Sequence, residues 1–305
     1  MKRYLLCFIL LAIGSVGCKK DKKSDSTTPS NKTYHVVFNV SQPQTSGSNN
    51  LSNNSLKTNA AEPVANGASK LFYLVYNSRN LLVHKLVQDA NVGNFGTVED
   101  ELPAGTYTVY ICAGQNGLDL DLSTDFGASP HFSYPLLSTP ATAPVWGDTF
   151  FKKLTVNVSN TDINQSVTLE RIVGQLQINI EDALPANASK FVVKIVSESR
   201  YFEFLNNKKT GPVAYNITNL VPAAAAGTAN YKITTLIGNT ELPLSINLIC
   251  YDAANKSLAD ITISNVSCSN NVKTVVSGKL FESGTGFNIG LNNTWDPTPY
   301  ATIGF

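Results

Sequence analysis

Three kinds of side chain in this sequence could carry chemistry: acidic runs that hold cations, histidines and cysteines that ligate or attack, and aromatics that stack on flat ligands. The run Asp119-Leu120-Asp121-Leu122-Ser123-Thr124-Asp125 sets oxygen ligands at alternate positions, as a calcium loop does. Thr124 stands where that loop needs glycine, and Pro130 where it needs a bidentate glutamate, so the run reads as a solvated acidic loop. His35 and His84 fall on strand patterns and His131 in a loop context. The sequence has no HExxH, no GxSxG and no GxxxxGK[ST], so it signals neither a zincin, a hydrolase nucleophile nor a phosphate loop. Cys112, Cys250 and Cys268 leave two readings open: one disulfide plus a free thiol, or three small buried residues on strand patterns. Without a CxxC or Cys/His spacing they do not point to zinc. No metal, cofactor or enzyme activity is expected. Tyr73, Tyr76, Tyr107 and Tyr110 sit on strand patterns and read as core. Trp146, beside Gly147-Asp148, and Trp295, before Asp296-Pro297, are the candidates for stacking on a glycan.

One further cysteine has a different setting. Met1-Lys2-Arg3 is a basic start, residues 4–16 are an apolar run too short to span a membrane, and Ser15-Val16-Gly17 leads directly into Cys18. That is the pattern of a bacterial lipoprotein signal, with Ser15 where leucine is usual. On that reading residues 1–17 are a signal peptide and Cys18 is the acylation site, palmitate being one such chain; the alternative is an ordinary cleaved signal peptide. Each buried CH₂ contributes about 0.8 kcal/mol, so two or more chains anchor stably. Residues 18–33 are charged and Ser/Thr-rich, with Pro29, and read as a flexible lipidated tether. Asp25-Ser26-Thr27 matches a short O-glycosylation motif.

The rest of the chain must hold any site on strands. Charged residues are 15% of the total, below the usual ~25%, and the net charge of +1 gives no field that would steer nucleic acid. Hydrophobic residues, at 43%, suffice for a core. Residues 34–40 alternate with Tyr34, Val36, Phe38 and Val40 on one face. Residues 42–69 are polar and read as a long loop. Residues 71–76 form a fully apolar run and 81–86 return as a hairpin. Residues 95–102, 106–113 and 150–158 are further strands, and 114–145 show little periodicity. The clearest alternation follows at 172–180, then strands at 191–196, 231–235, 244–251, 261–266, 272–281 and 287–291. Short strands at regular spacing, with Gly, Pro and Asn between them, predict an all-β chain of two sandwiches, residues 34–153 and 154–305.

Several stretches in order, Val36-Val37-Phe38-Asn39-Val40-Ser41, Leu71-Phe72-Tyr73-Leu74-Val75-Tyr76, Leu102-Pro103-Ala104-Gly105-Thr106-Tyr107, Leu169-Glu170-Arg171-Ile172-Val173-Gly174 and residues 273–281, resemble the fimbrillin-like lipoproteins of Bacteroidota. The resemblance implies two tandem transthyretin-like β-sandwich domains, export to the outer membrane as a surface-exposed lipoprotein, and assembly with pilin subunits by β-strand complementation. In stalk subunits of that family an Arg-directed protease removes the first strand, whereas anchor subunits keep lipid and strand. This chain has no arginine between Arg3 and Arg79, and only Lys57 and Lys70 are basic in residues 42–70. An anchoring or accessory fimbrial subunit is therefore expected, with Tyr34, Val36, Phe38 and Val40 on the strand-exchange element and the membrane reached through Cys18. The alternative is a glycan-binding or adhesin lipoprotein. Residues 300–305 are strand-compatible and read as a donor strand or a frayed end.

Overall fold

Among the residues that a computed structural model describes (32–43, 61–91, 93–124, 129–135, 146–282 and 286–292), the regular elements are strands, with 3-10 turns at Val64–Asn66 and Ala223–Ala225 and no α-helix. Cys18, Trp295 and residues 300–305 lie outside the described residues. The first half of the chain carries β1 (Thr33–Pro43), β2 (Ala61–Pro63), β3 (Lys70–Asn77), β4 (Leu82–Asp89), β5 (Thr97–Pro103), β6 (Gly105–Gly114), β7 (Asp119–Asp121), β8 (His131–Ser133), β9 (Thr149–Val158), β10 (Ile163–Thr168) and β11 (Glu170–Arg171). The second carries β12 (Gly174–Ile180), β13 (Ala188–Glu203), β14 (Lys208–Leu220), β15 (Tyr231–Ile237), β16 (Leu244–Asp252), β17 (Ser257–Val266), β18 (Lys273–Gly278) and β19 (Asn288–Asn292).

These strands make two tandem β-sandwiches with one wiring scheme used twice. In the first, β1 lies between parallel β10 and antiparallel β5, and faces a sheet ordered β9-β6-β3-β4. In the second, β12 lies between parallel β18 and antiparallel β15, and faces a sheet ordered β17-β16-β13-β14. Strand for strand, β1, β3, β4, β5, β6, β9 and β10 correspond to β12, β13, β14, β15, β16, β17 and β18. The remaining strands are additions. β2 extends the seat of β1, β11 joins β9, β19 joins β18, and the pair β7-β8 joins β13 beyond the end of β16.

The halves are not separate bodies, and residues 33–305 form one compact unit. The reason is legible in β3. Leu71, Tyr73 and Val75 enter the core shared with the β1 sheet. Phe72, Leu74 and Tyr76 point the other way, into the core of the second sandwich. A strand buried on both faces is apolar throughout, whereas a half-buried strand alternates. The β13–β14 hairpin meets this second face. Phe204 packs on Tyr110 and Phe132 with ring centroids 5.1 Å away in each case, and Phe202 on Phe151 at 4.7 Å.

Three expectations change. A boundary between residues 153 and 154 would cut β9, and the chain leaves the first pair of sheets only after Arg171. Of the polar stretch 42–69, residues 61–69 are built into β2 and a 3-10 turn whose Val64 is buried. Strands β10 and β14 were not expected. β10 buries only Val167, and β14 contains Gly211-Pro212, which an edge strand tolerates because its outer ladder is open.

Candidate functional site

The strand expected to matter for assembly, β1, occupies the centre of its sheet. Its burial alternates: Tyr34, Val36, Phe38 and Val40 are buried, with Val36 and Phe38 fully enclosed. Each such side chain stabilises the fold by roughly 1.5–3 kcal/mol. Backbone pairing runs on both sides, from Thr33 to Asn39 against β5 and from Val36 to Ser41 against β10, and Ser41–Pro43 then pair with β2. Side chains add rungs. Asn39 Nδ2 donates to Asn164 Oδ1 at 2.9 Å, the His35 amide to Asp162 Oδ1 at 3.0 Å, and Ser41 Oγ lies 3.1 Å from Thr168 Oγ1. At the far end the Val40 amide donates to the Gly96 carbonyl at 2.7 Å. Gly96 adopts a φ of +93°, and a Cβ there would come within 2.8 Å of Val64, so only glycine turns the chain against β1.

Beneath β1, the ring of Phe38 meets that of Tyr73 at 5.9 Å. Tyr73 donates to Asp100 Oδ2 at 3.1 Å, and the other oxygen of Asp100 lies 2.6 Å from His84 Nδ1. Burial pushes the Tyr73 hydroxyl well above the usual phenol range, and the Asp100 carboxylate pushes it the same way. The phenol therefore stays a donor. This cluster ties β3 and β4 to β5.

A second polar concentration lies where the halves join. Arg171 makes a bidentate pair with Asp148 at 2.7 and 3.1 Å, donates to Asn271 Oδ1 at 2.6 Å, and stacks over Phe150 at 4.8 Å. Burial raises the Asp148 carboxyl, and the Arg171 guanidinium opposes that shift. Glu198 is turned inward by a bulge in β13, where Ser197 has a φ of 70°, and accepts the amides of Ser199 and Asn239. Burial pushes its carboxyl up to about 7. Lys209 donates to the Ile172 carbonyl, to Thr240 Oγ1 and to Asn270 Oδ1, and burial brings its ammonium down to about 8. Nothing in the sequence marked Glu198 or Lys209, because Lys208-Lys209-Thr210-Gly211-Pro212 looks like a solvated turn.

Trp146 belongs to this join and not to an exposed loop. It is fully buried, and its Nε1 donates to the Ser199 carbonyl at 2.5 Å. The indole lies against Gly238, where any Cβ would collide with it. It cannot stack on a glycan. Tyr73, Tyr76, Tyr107 and Tyr110 are all buried as well. Cys112, Cys250 and Cys268 are free and buried, and burial raises all three thiols, to about 11 for Cys250 and Cys268. The second of the two readings left open for them is the one observed. Among the described residues no three His, Cys, Asp or Glu side chains converge as a metal ion needs.

Solved structures share this architecture. A candidate polysaccharide-binding protein (DUF1812) of Bacteroides thetaiotaomicron superposes with a TM-score of 0.58 at 13% identity, over 86% of this chain and 96% of the other. The fimbrial anchor protein Mfa2 of Porphyromonas gingivalis gives 0.56 at 12% identity, over 86% and 98%. A candidate adhesin of Bacteroides thetaiotaomicron gives 0.54 at 12% identity, over 86% and 97%. At such identities the likeness concerns the fold alone. No curated protein matches the sequence. Residues 146–302, just over half of the 305-residue chain, match the model of a family of unknown function, DUF6562, and the chain belongs to that family.

Proposed function

We propose that this chain is a lipid-anchored cell-surface protein that serves fimbriae as an anchoring or accessory subunit and keeps its first strand. The observation that carries the proposal is the seat of β1 taken with the sequence before β3. Two ladders and four buried side chains hold β1 centrally in its sheet, and residues 4–78 contain no arginine. A stalk precursor would present the same seat before processing, and the missing arginine argues against an Arg-directed cut, though not against one at Lys57 or Lys70. A subunit lacking β1 would expose a groove between β5 and β10 that a partner's strand fills, which is recognition by strand addition. With β1 in place that groove is closed, and the chain terminates or anchors an assembly. The fold shared with a fimbrial anchor protein supports this reading.

Cys18 is the lipid site in this proposal, on the outer membrane, and residues 19–32 reach from it to β1. Mass spectrometry of the protein extracted from the cell surface tests both points. The expected N-terminal peptide begins at an acylated Cys18. A mature N-terminus beyond Val40 would overturn the proposal.

A further inference from the structure

A cleft of about 480 Å³ opens on the outer face of β7, β8, β13 and β14. Register builds it. Asp119 pairs with Ser133, Ser133 with Tyr201 and Tyr201 with Thr210, one row across four strands, and Asp121 pairs with His131 beside it. Phe132 and Phe202, one residue along, are buried, so Asp119, Ser133, Tyr201 and Thr210 face outward, while His131, packed against the Tyr201 ring, is itself buried. The row draws on segments roughly 80 residues apart, and no single stretch of sequence displays it.

The floor is aromatic. The Tyr201 ring lies 4.2 Å from the His131 ring at 60°, and the Arg200 guanidinium sits 5.1 Å from its centroid. Gly211, with a φ of +71°, lies under the tyrosine, where a Cβ would come within 2.5 Å of the ring. The ring therefore rests on bare backbone and stays partly exposed. Around it stand the carboxylates of Asp119, Asp121 and Glu203 and the guanidinium of Arg200, whose Nε is shielded from solvent and has no hydrogen-bond partner among the described residues. The Ser123 amide donates to Asp121 at 2.7 Å and fixes one carboxylate in place.

Flat aromatic surface ringed by planar, bidentate donors and acceptors suits a sugar ring. Its C–H face covers the aromatics, and pairs of neighbouring hydroxyls reach a carboxylate or the guanidinium. Three carboxylates against one guanidinium disfavour an anionic ligand, and the acidic groups among the described residues do not converge as a cation requires. We propose that this cleft binds a neutral saccharide, with Tyr201 as the platform and Asp119, Asp121 and Arg200 as the hydroxyl-reading groups. The proposal does not depend on how the chain is anchored.

The test is a microarray of neutral and acidic oligosaccharides probed with the full chain, with hits measured by calorimetry and calcium chloride titrated as the cation control. Neutral oligosaccharides are expected to be retained. Tyr201→Ala should weaken them at least tenfold, and so should the combined Asp119→Asn and Asp121→Asn change, which keeps shape and guards against a variant that merely unfolds. Retention of acidic glycans alone, of no glycan, heat from calcium alone, or unchanged affinity in the double asparagine variant would each overturn the proposal.

Discussion

At the scale of the residue, the buried Glu198 and Lys209 set how stability follows pH. The folded state holds the Glu198 proton up to about 7, whereas an unfolded glutamate releases it near the ordinary 4.5. Between those values the folded state binds more protons, so stability falls as pH rises, by on the order of 1 kcal/mol per unit at most. Lys209 acts in the opposite sense. Its folded ammonium loses its proton near 8 against an ordinary 10.5, so in that window the unfolded state binds more protons and stability rises with pH. Urea midpoints measured across pH 4–9 should therefore pass through a minimum near pH 7–8; above 9 the three buried thiols, whose protons the folded state keeps, oppose the rise. Glu198→Gln keeps an oxygen for the Ser199 and Asn239 amides and should abolish the fall between 4.5 and 7. A retained fall would assign the slope to other groups. None of this was legible in the sequence, because a bulge decides that Glu198 faces inward, and bulges leave no periodic signal. Trp146 misled for a related reason. Its Gly-Asp neighbours look like a turn, yet Gly147 and Asp148 pack beside Tyr134 and Arg171 at the join.

At the scale of the element, β1 is the test case. A chain beginning at residue 61 should lose much of its stability, since four buried side chains and two ladders go with β1. A synthetic peptide of residues 33–43 should bind that chain and raise its melting temperature, and a Phe38→Asp peptide should not. Equal melting of the shortened and full chains would show that β1 contributes little. Strands whose apolar residues alternate with polar ones were readable, as β1 and β12 show, although β12 also buries Gln175 and Gln177, and β3 was readable by its unbroken apolar run. β10 and β14 were hidden because backbone pairing with β1 and β13, more than their side chains, fixes them. The cleft on β7, β8, β13 and β14 was hidden for a third reason: only pairing register brings Asp119 to Tyr201. The same acidic run that failed as a calcium loop supplies its rim.

At the scale of the molecule, the β3 sheet serves two cores at once, and the sandwiches should unfold together. Calorimetry should give a single transition with matching calorimetric and van't Hoff enthalpies. Phe204→Ala, which empties the aromatic contact on Tyr110 and Phe132, should cost about 3–5 kcal/mol and lower that one transition. Two resolved transitions in the parent chain would mean that the halves fold independently. Composition and spacing announced two sandwiches. The shared sheet, and the repetition of one wiring scheme in both halves, are properties of pairing that no local pattern reports.

The position of β1 also has a mechanical meaning. In the proposed anchoring role, a pull delivered through the residues before Thr33 enters at the start of β1 and, when directed along it, loads the strand lengthwise. Its ladders to β5 and β10 then bear the load side by side, in shear, and must break together instead of peeling rung by rung. Forced rupture is governed by the unfolding rate, not by the equilibrium stability. The same ladders pulled across the strand would unzip bond after bond, so in the proposed role two ladders loaded lengthwise make the first strand a grip.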